Sequence, residues 1–255
     1  MADMRPLPSK VREAQSDAQE LVCQAWETPN RKKRSDMASE ALKLWPDCAD
    51  AWSLLAQEAR TPEEALETYQ KAVAAGERAL GAQAFKDDVG FFWGLLETRP
   101  YMRARASLAQ ALEDLDRYEE AIAHYRELLK LNPGDNQGIR YLLLHALIAS
   151  DRNDEAWTFV NESPTEIMAM WLYPKALLAF RRDGRSSETD RLLREAIGRN
   201  RFVPDYLLGR KRTSRTLPDY VGIGDEDEAA VFVSEYALVW HKTPGAAEWL
   251  RMVAR

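Results

Sequence analysis

The chain has 255 residues, 45% of them hydrophobic and 30% charged, with a formal net charge of −6. That composition belongs to a folded globular chain and excludes a disordered tail, while the acidic balance gives no overall footprint for nucleic acid. Cys23 and Cys48, the two cysteines, form neither a metal motif nor a disulfide framework, so a reducing, cytoplasmic setting is expected.

No membrane role is expected either. The most apolar run, "YLLLHALIA" at 141–149, is far short of the roughly 20 residues that span a bilayer. The opening "MADMRPLPSKVREAQ" lacks a signal peptide's apolar stretch.

In chain order, "NRKKRSD" at 30–36 is a short basic run, read as a solvated face or as a phosphate contact. "ASEALKLWPDCADAW" follows as a helix stopped at Pro46 and a second helix beyond it. Thr61, Pro62 and Glu64 then have the spacing of a capping box with proline at the first helical position. Ala65 and Tyr69 put a small and a large residue one turn apart on that helix.

The clearest unit is "MRARASLAQALEDLDRYEEAIAHYRELLKLNPGDN" at 102–136. Leu108, Ala109 and Leu112 mark one helix, "LDRY" a turn, Ala121 and Tyr125 a second helix, and Pro133 its end. Two antiparallel helices approach closely where each offers a small residue, with bulky neighbours filling the space alongside; Ala109 and Ala121 are the small pair. These spacings resemble the tetratricopeptide repeat. "NQGIRYLLLHALIASDRNDEAWTFV" continues the pattern with Ala156 and Val160, and "WLYPKALLAFRRDGRSSETDRLLREAI" gives a further pair turning at Asp183-Gly184.

From Ala65 to Ala121 is about 56 residues against a repeat period of about 34, leaving an insert of about 22 over residues 76–99. Its first part is expected to lengthen the preceding helix and "FFWGLL" to form a short helix on the stack. Arg99, before Pro100, is expected outside α geometry, with the next helix starting at Pro100. Phe91, Phe92 and Trp93 either plug the gap the insert opens or form an apolar wall for a ligand.

Past residue 202 the pattern lapses into a short helix at 204–209, a basic loop "GRKRTSR" at 209–215 and two closing helices. Asp225 with Glu228 caps the first of these, and Thr243-Pro244 opens the second. Asn200, Val203, Pro204, Tyr206, Leu207, Leu208, Gly224, Asp225, Glu228 and Ala229, with Trp240-His241-Lys242 in altered order, resemble the C-terminal part of the suppressor of tumorigenicity 7 family. That resemblance implies a helical interaction protein and no enzyme. Relatives in that family carry membrane segments absent from this sequence.

The expected fold is therefore all-α: a right-handed α-solenoid of tetratricopeptide-like helix pairs over 1–201, with an insert at about 76–99, and a helical C-terminal cap over 202–255. In such arrays the first helix of each pair lines a concave groove. The register puts Arg103 and Gln110 on that face, and Gln137 and Arg140 in the next unit. Arg99, Tyr101, Arg103, Gln110, Asn136, Gln137, Arg140 and Trp93 form the candidate partner-binding set, suited to a protein or peptide bearing an anionic or carboxylate group. The arginines equally suit structural ion pairs with Glu97, Glu113 or Asp135.

No catalytic, metal or cofactor constellation is read. His124, His145 and His241 lie on separate helices without H-E-x-x-H spacing, "LNPGDNQGIRY" lacks the phosphate-loop lysine, and paired carboxylates open helices. The favoured function is non-enzymatic recognition of a partner peptide or helix. The alternatives are an enzyme or small-ligand receptor with a pocket between the 76–99 insert and the array, and a structural subunit whose groove its own chain fills.

Overall fold

The computed structural model describes residues 9–163, 165–213, 218 and 220–254. These residues hold thirteen α-helices and no strand. They group into two compact units, Met1–Arg140 and Tyr141–Arg255.

The first unit contains α1 (Ser9–Trp26), α2 (Arg31–Leu44), α3 (Ala49–Gln57), α4 (Pro62–Asp87), α5 (Arg99–Glu113) and α6 (Tyr118–Leu131). Consecutive helices pack as pairs, α1 on α2, α3 on α4 and α5 on α6, while α3 also packs against α1 and α5. Close packing follows from small side chains: Ala18, Ala25, Ala38, Ala41 and Ala51 are wholly buried around Val22, Cys48 and Leu54. In the α5–α6 pair the residues that define the repeat, Leu108, Ala109, Leu112, Ala121 and Tyr125, are all buried. Each large apolar side chain so placed contributes about 1.5–3 kcal/mol. The "LDRY" turn closes through Asp116 in the left-handed region at φ 56°, with the Arg117 N–H donating to the Leu112 carbonyl over 2.9 Å.

At the start of α4, Thr61 caps as expected by accepting from the Glu64 N–H at 3.2 Å. The Glu64 carboxylate, however, accepts from the N–H of Arg60 rather than that of Thr61. The insert lengthens α4 with one break, where Gly81 takes φ 70°, ψ 160°, a conformation that glycine adopts without Cβ strain. "FFWGLL" forms two single 3₁₀ turns, Phe92–Gly94 and Leu96–Thr98, instead of one short helix. Arg99 departs from its expected geometry: it is helical at φ −59°, ψ −39° and begins α5. Its guanidinium is anchored back on the Trp93 carbonyl at 2.9 Å, and Pro100 in the first turn lacks only an N–H that would have no intrahelical partner there.

The unit boundary falls within α7 (Ile139–Ala149). The second unit continues with α8 (Asn153–Asn161), α9 (Ala169–Asp183), α10 (Ser187–Arg199), α11 (Val203–Leu207), α12 (Glu226–Lys242) and α13 (Ala246–Val253). The α7–α8 turn repeats that of α5–α6: Asp151 has φ 58°, and the Arg152 N–H donates to the Leu147 carbonyl at 2.9 Å. Gly184 ends α9 at φ 68°, as the Asp183-Gly184 reading requires, and a Ser186–Thr189 capping box starts α10.

The short helix expected at 204–209 lies at Val203–Leu207. Asp225 caps α12 through the Glu228 N–H at 2.9 Å. The last helix opens differently from expectation, because the Thr243 hydroxyl is taken by the Val239 carbonyl and Arg181, leaving Gly245 at the N-cap. The core here is aromatic: Tyr173, Phe232 and Tyr236 pack in sequence, and Trp249 stacks on Phe180 with ring centroids 4.4 Å apart.

Candidate functional site

The first unit contains a groove of about 660 Å³ lined by α1, the α2–α3 link, α4, the insert and α5, and open to solvent along one side. One stripe of α1, from Arg12 to Trp26 at helical spacing, forms part of its wall. Gly76 sits where α4 meets α5: a Cβ there would lie 3.0 Å from the Cβ of Tyr101, so only glycine lets the two helices approach so closely.

Asp50, on the first turn of α3, is 1% exposed. Arg103 donates to it twice, Nε to Oδ1 at 3.0 Å and Nη2 to Oδ2 at 2.5 Å, and Gln19 Nε2 donates at 3.1 Å. The same guanidinium lies over the Trp26 ring at 5.4 Å. Arg103 thus ties α1, α3 and α5 together from the groove wall.

Arg99 lines the groove with its Nε bonded to the Trp93 carbonyl and its guanidinium 5.4 Å from the Trp93 ring centroid. No ion pair joins it to a carboxylate among the described residues. Tyr101 is 1% exposed and packs edge-on against Phe85 and Phe92. Burial raises its phenol above the ordinary value, although Arg105 donates to the phenol oxygen. Of the three insert aromatics, Phe92 is wholly buried, Trp93 partly so, and Phe91 is 73% exposed.

Arg99, Tyr101 and Arg103 of the candidate set therefore line one groove, with Trp93 behind Arg99. Gln110, Asn136, Gln137 and Arg140 are not among its lining residues. Gln110 and Asn136 are exposed, and Arg140 pairs with Asp135 at 2.7 Å, one of the ion pairs considered for it. Asp135 also accepts the N–H groups of Ile139 and Arg140, which explains "NPGDNQGIR" as a helix stop followed by a cap.

The sequence reading missed Asp50, Gln19 and Trp26. Asp50 and Arg103 are 53 positions apart, and no local pattern marks such a contact. The α1 stripe alone was available to find Trp26.

The two basic runs supply structural ion pairs. The basic run at 30–36 clamps Glu58 through Arg31 and Arg34. In 209–215, Arg210 pairs with Asp205 and Lys211 with Glu226, while Ser214 and Arg215 lie outside the described residues. Both cysteines are free thiols, and burial pushes Cys48 up to about 11. Among the described residues no cluster of histidine, cysteine and carboxylate could hold a metal ion, and no helix is long and apolar enough to cross a membrane.

The family model for the tetratricopeptide repeat matches residues 112–166, from the end of α5 into the segment after α8. Among solved structures, the chain is similar to the crystal structure of YrrB, described as a TPR protein with an unusual peptide-binding site. The two are 17% identical with a TM-score of 0.52, over 74% of this chain and 89% of that one. No curated protein matches the chain. The fold is thus that of an all-α, tetratricopeptide-like helical repeat, with the repeat signature itself in residues 112–166.

Proposed function

We propose that the protein is a non-enzymatic interaction module whose first unit holds a peptide or helix of a partner protein in the groove beside α5. The observation that carries this reading is a groove of about 660 Å³ in which apolar side chains face solvent, Trp26 at 45% and Leu96 at 72% exposure, beside arginines already fixed in place. Fixed donors and preformed apolar surface lower the ordering cost of binding. Arg99, Tyr101, Arg103 and Trp93 form the groove's part of the site; Gln110, Asn136, Gln137 and Arg140 extend it if the partner runs on along the unit. The peptide-binding site in the description of YrrB is consistent with this use of the fold.

A photo-crosslinking amino acid at position 79, an exposed groove position, tests the reading against the same group at exposed Glu119 on α6. The expected result is a discrete protein adduct from position 79 that is absent from 119 and weakened when Arg99 and Arg103 are changed. Equal adducts from both positions overturn it.

The groove's volume also favours a second reading, a small-ligand receptor with its pocket between the insert and α1, since ligand pockets measure about 300–1,000 Å³. Native mass spectrometry of the chain purified from its source separates the two. A stoichiometric small-molecule adduct lost in an Ala79→Trp variant supports the receptor.

A further inference from the structure

Resting on the peptide-binding reading, we infer that the groove takes a segment in which one carboxylate lies beside a bulky apolar side chain, with the carboxylate on Arg99 and the apolar side chain against Ala79, Leu80 and Leu96.

Two groove arginines, Arg12 and Arg99, have no carboxylate partner among the described residues, and of these Arg99 is held in place by the protein while Arg12 is exposed on α1. Asp50 is satisfied by Arg103 and Gln19, and Asp47 by Arg78 at 2.7 Å. Arg103 is therefore spent on the fold: both edges of the Asp50 carboxylate hold it, and an incoming anion would have to compete with a buried partner. Arg99 differs. Its Nε is fixed on a backbone carbonyl and its guanidinium carbon lies 5.4 Å from the Trp93 ring centroid, while its two Nη groups meet no described carboxylate. A guanidinium held in this way presents a planar donor edge with little rotamer freedom left to lose, which suits bidentate capture of a carboxylate.

The apolar requirement comes from the neighbouring surface. Leu96 is 72% exposed and Ala79 is exposed, so the wall beside Arg99 offers both room and unburied hydrocarbon. Such surface contributes to binding only when a large apolar group covers it. Glu97, also exposed on the rim, narrows the choice further. It would repel a second acid, so a single carboxylate is favoured over an acidic run.

The test is selection from a displayed library of random nine-residue peptides against the full chain, followed by binding measurements on an enriched peptide. Enriched sequences are expected to place one Asp or Glu within two positions of Phe, Trp, Leu or Met. Changing that acid to its amide should weaken binding about tenfold or more on the wild-type chain, a comparison that needs no protein variant. On Arg99→Gln the acid and amide peptides should bind alike, whereas Leu96→Ser should weaken both, and Lys130→Gln on α6 neither. Enrichment of basic or acid-free peptides that still respond to Leu96→Ser overturns this inference alone. Peptides indifferent to Leu96→Ser and Ala79→Trp, or no enrichment at all, overturn the peptide-groove reading with it.

Discussion

Asp50 and Glu228 are each 1% exposed, yet the two units compensate them differently. Asp50 in the first unit faces a guanidinium whose other face borders a groove. Glu228 in the second unit accepts three uncharged N–H donors: Ala169 N at 2.7 Å, Asn200 Nδ2 at 2.8 Å and Gly224 N at 2.7 Å. Both arrangements satisfy a buried acid. Only the first places its compensating charge at a solvent-facing wall. Glu228 instead ties α9, the end of α10 and the start of α12 into one frame. Asn200, Gly224 and Glu228, spread over 28 positions, meet in this one network.

The comparison can be broken most directly at Glu228. Glu228→Leu removes the acceptor of the buried Ala169 N–H, of one N–H of the buried Asn200 amide and of the half-buried Gly224 N–H, and should lower stability by about 3–5 kcal/mol, read as a shift in the urea midpoint; an unchanged midpoint would mean that water replaces the carboxylate. Asp50→Asn should lower stability by about 1–3 kcal/mol. In a double-mutant cycle with Arg103→Met, the double variant should be less destabilised than the two single effects summed. Strict additivity would show that the Arg103 contact does no energetic work.

A smaller effect is expected where the acid keeps other donors. Arg140→Ala removes one bond to Asp135, but the N–H groups of 139 and 140 remain. The loss should be about 1 kcal/mol or less by thermal unfolding; a larger loss would place Arg140 with Arg103 as a structural tie.

The smallest effect sharpens the contrast with a site that has neither form of compensation. His124 Nδ1 and Arg105 Nε are buried without a hydrogen-bond partner among the described residues. Burial first, then the charge of Arg105, holds His124 below its ordinary value, with Glu120 opposing. The unfolded chain therefore takes up the proton first as pH falls. Stability should decline slightly from the ordinary histidine range, near 6.5, down to the lowered folded value, and level off below it. NMR titration of the imidazole should show the depressed midpoint, and His124→Gln should flatten the stability profile. An ordinary midpoint for His124 would refute the packing described for it.

What could be read in the sequence was local. Leu108, Ala109, Leu112, Ala121 and Tyr125 lie within one helical hairpin, so their spacing alone requires the pair, and all five are buried. Asp183-Gly184, Ser186 and Asp225 likewise act on backbone within a few residues of themselves. Arg99 shows where such reasoning stops: the pre-proline bias against helix was outweighed by the anchoring of its side chain on Trp93. The opening of α13 was misread for a related reason. Thr243 has the right chemistry for a cap, but Arg181, 62 positions away, takes its hydroxyl instead.

The sequence by itself determined that this is an all-α chain of tetratricopeptide-like hairpins, because helix periodicity, caps and small-residue contacts are properties of neighbouring residues. The tertiary structure decided which arginines face which carboxylates. Arg103 could not be assigned to Asp50, or Arg99 separated from it as a donor with no carboxylate partner, until the close approach of α4 and α5 at Gly76 and the packing of α1, α3 and α5 had brought distant side chains to one wall. Ion pairing depends on separations of a few ångströms in space, and a sequence fixes those only after the chain has folded.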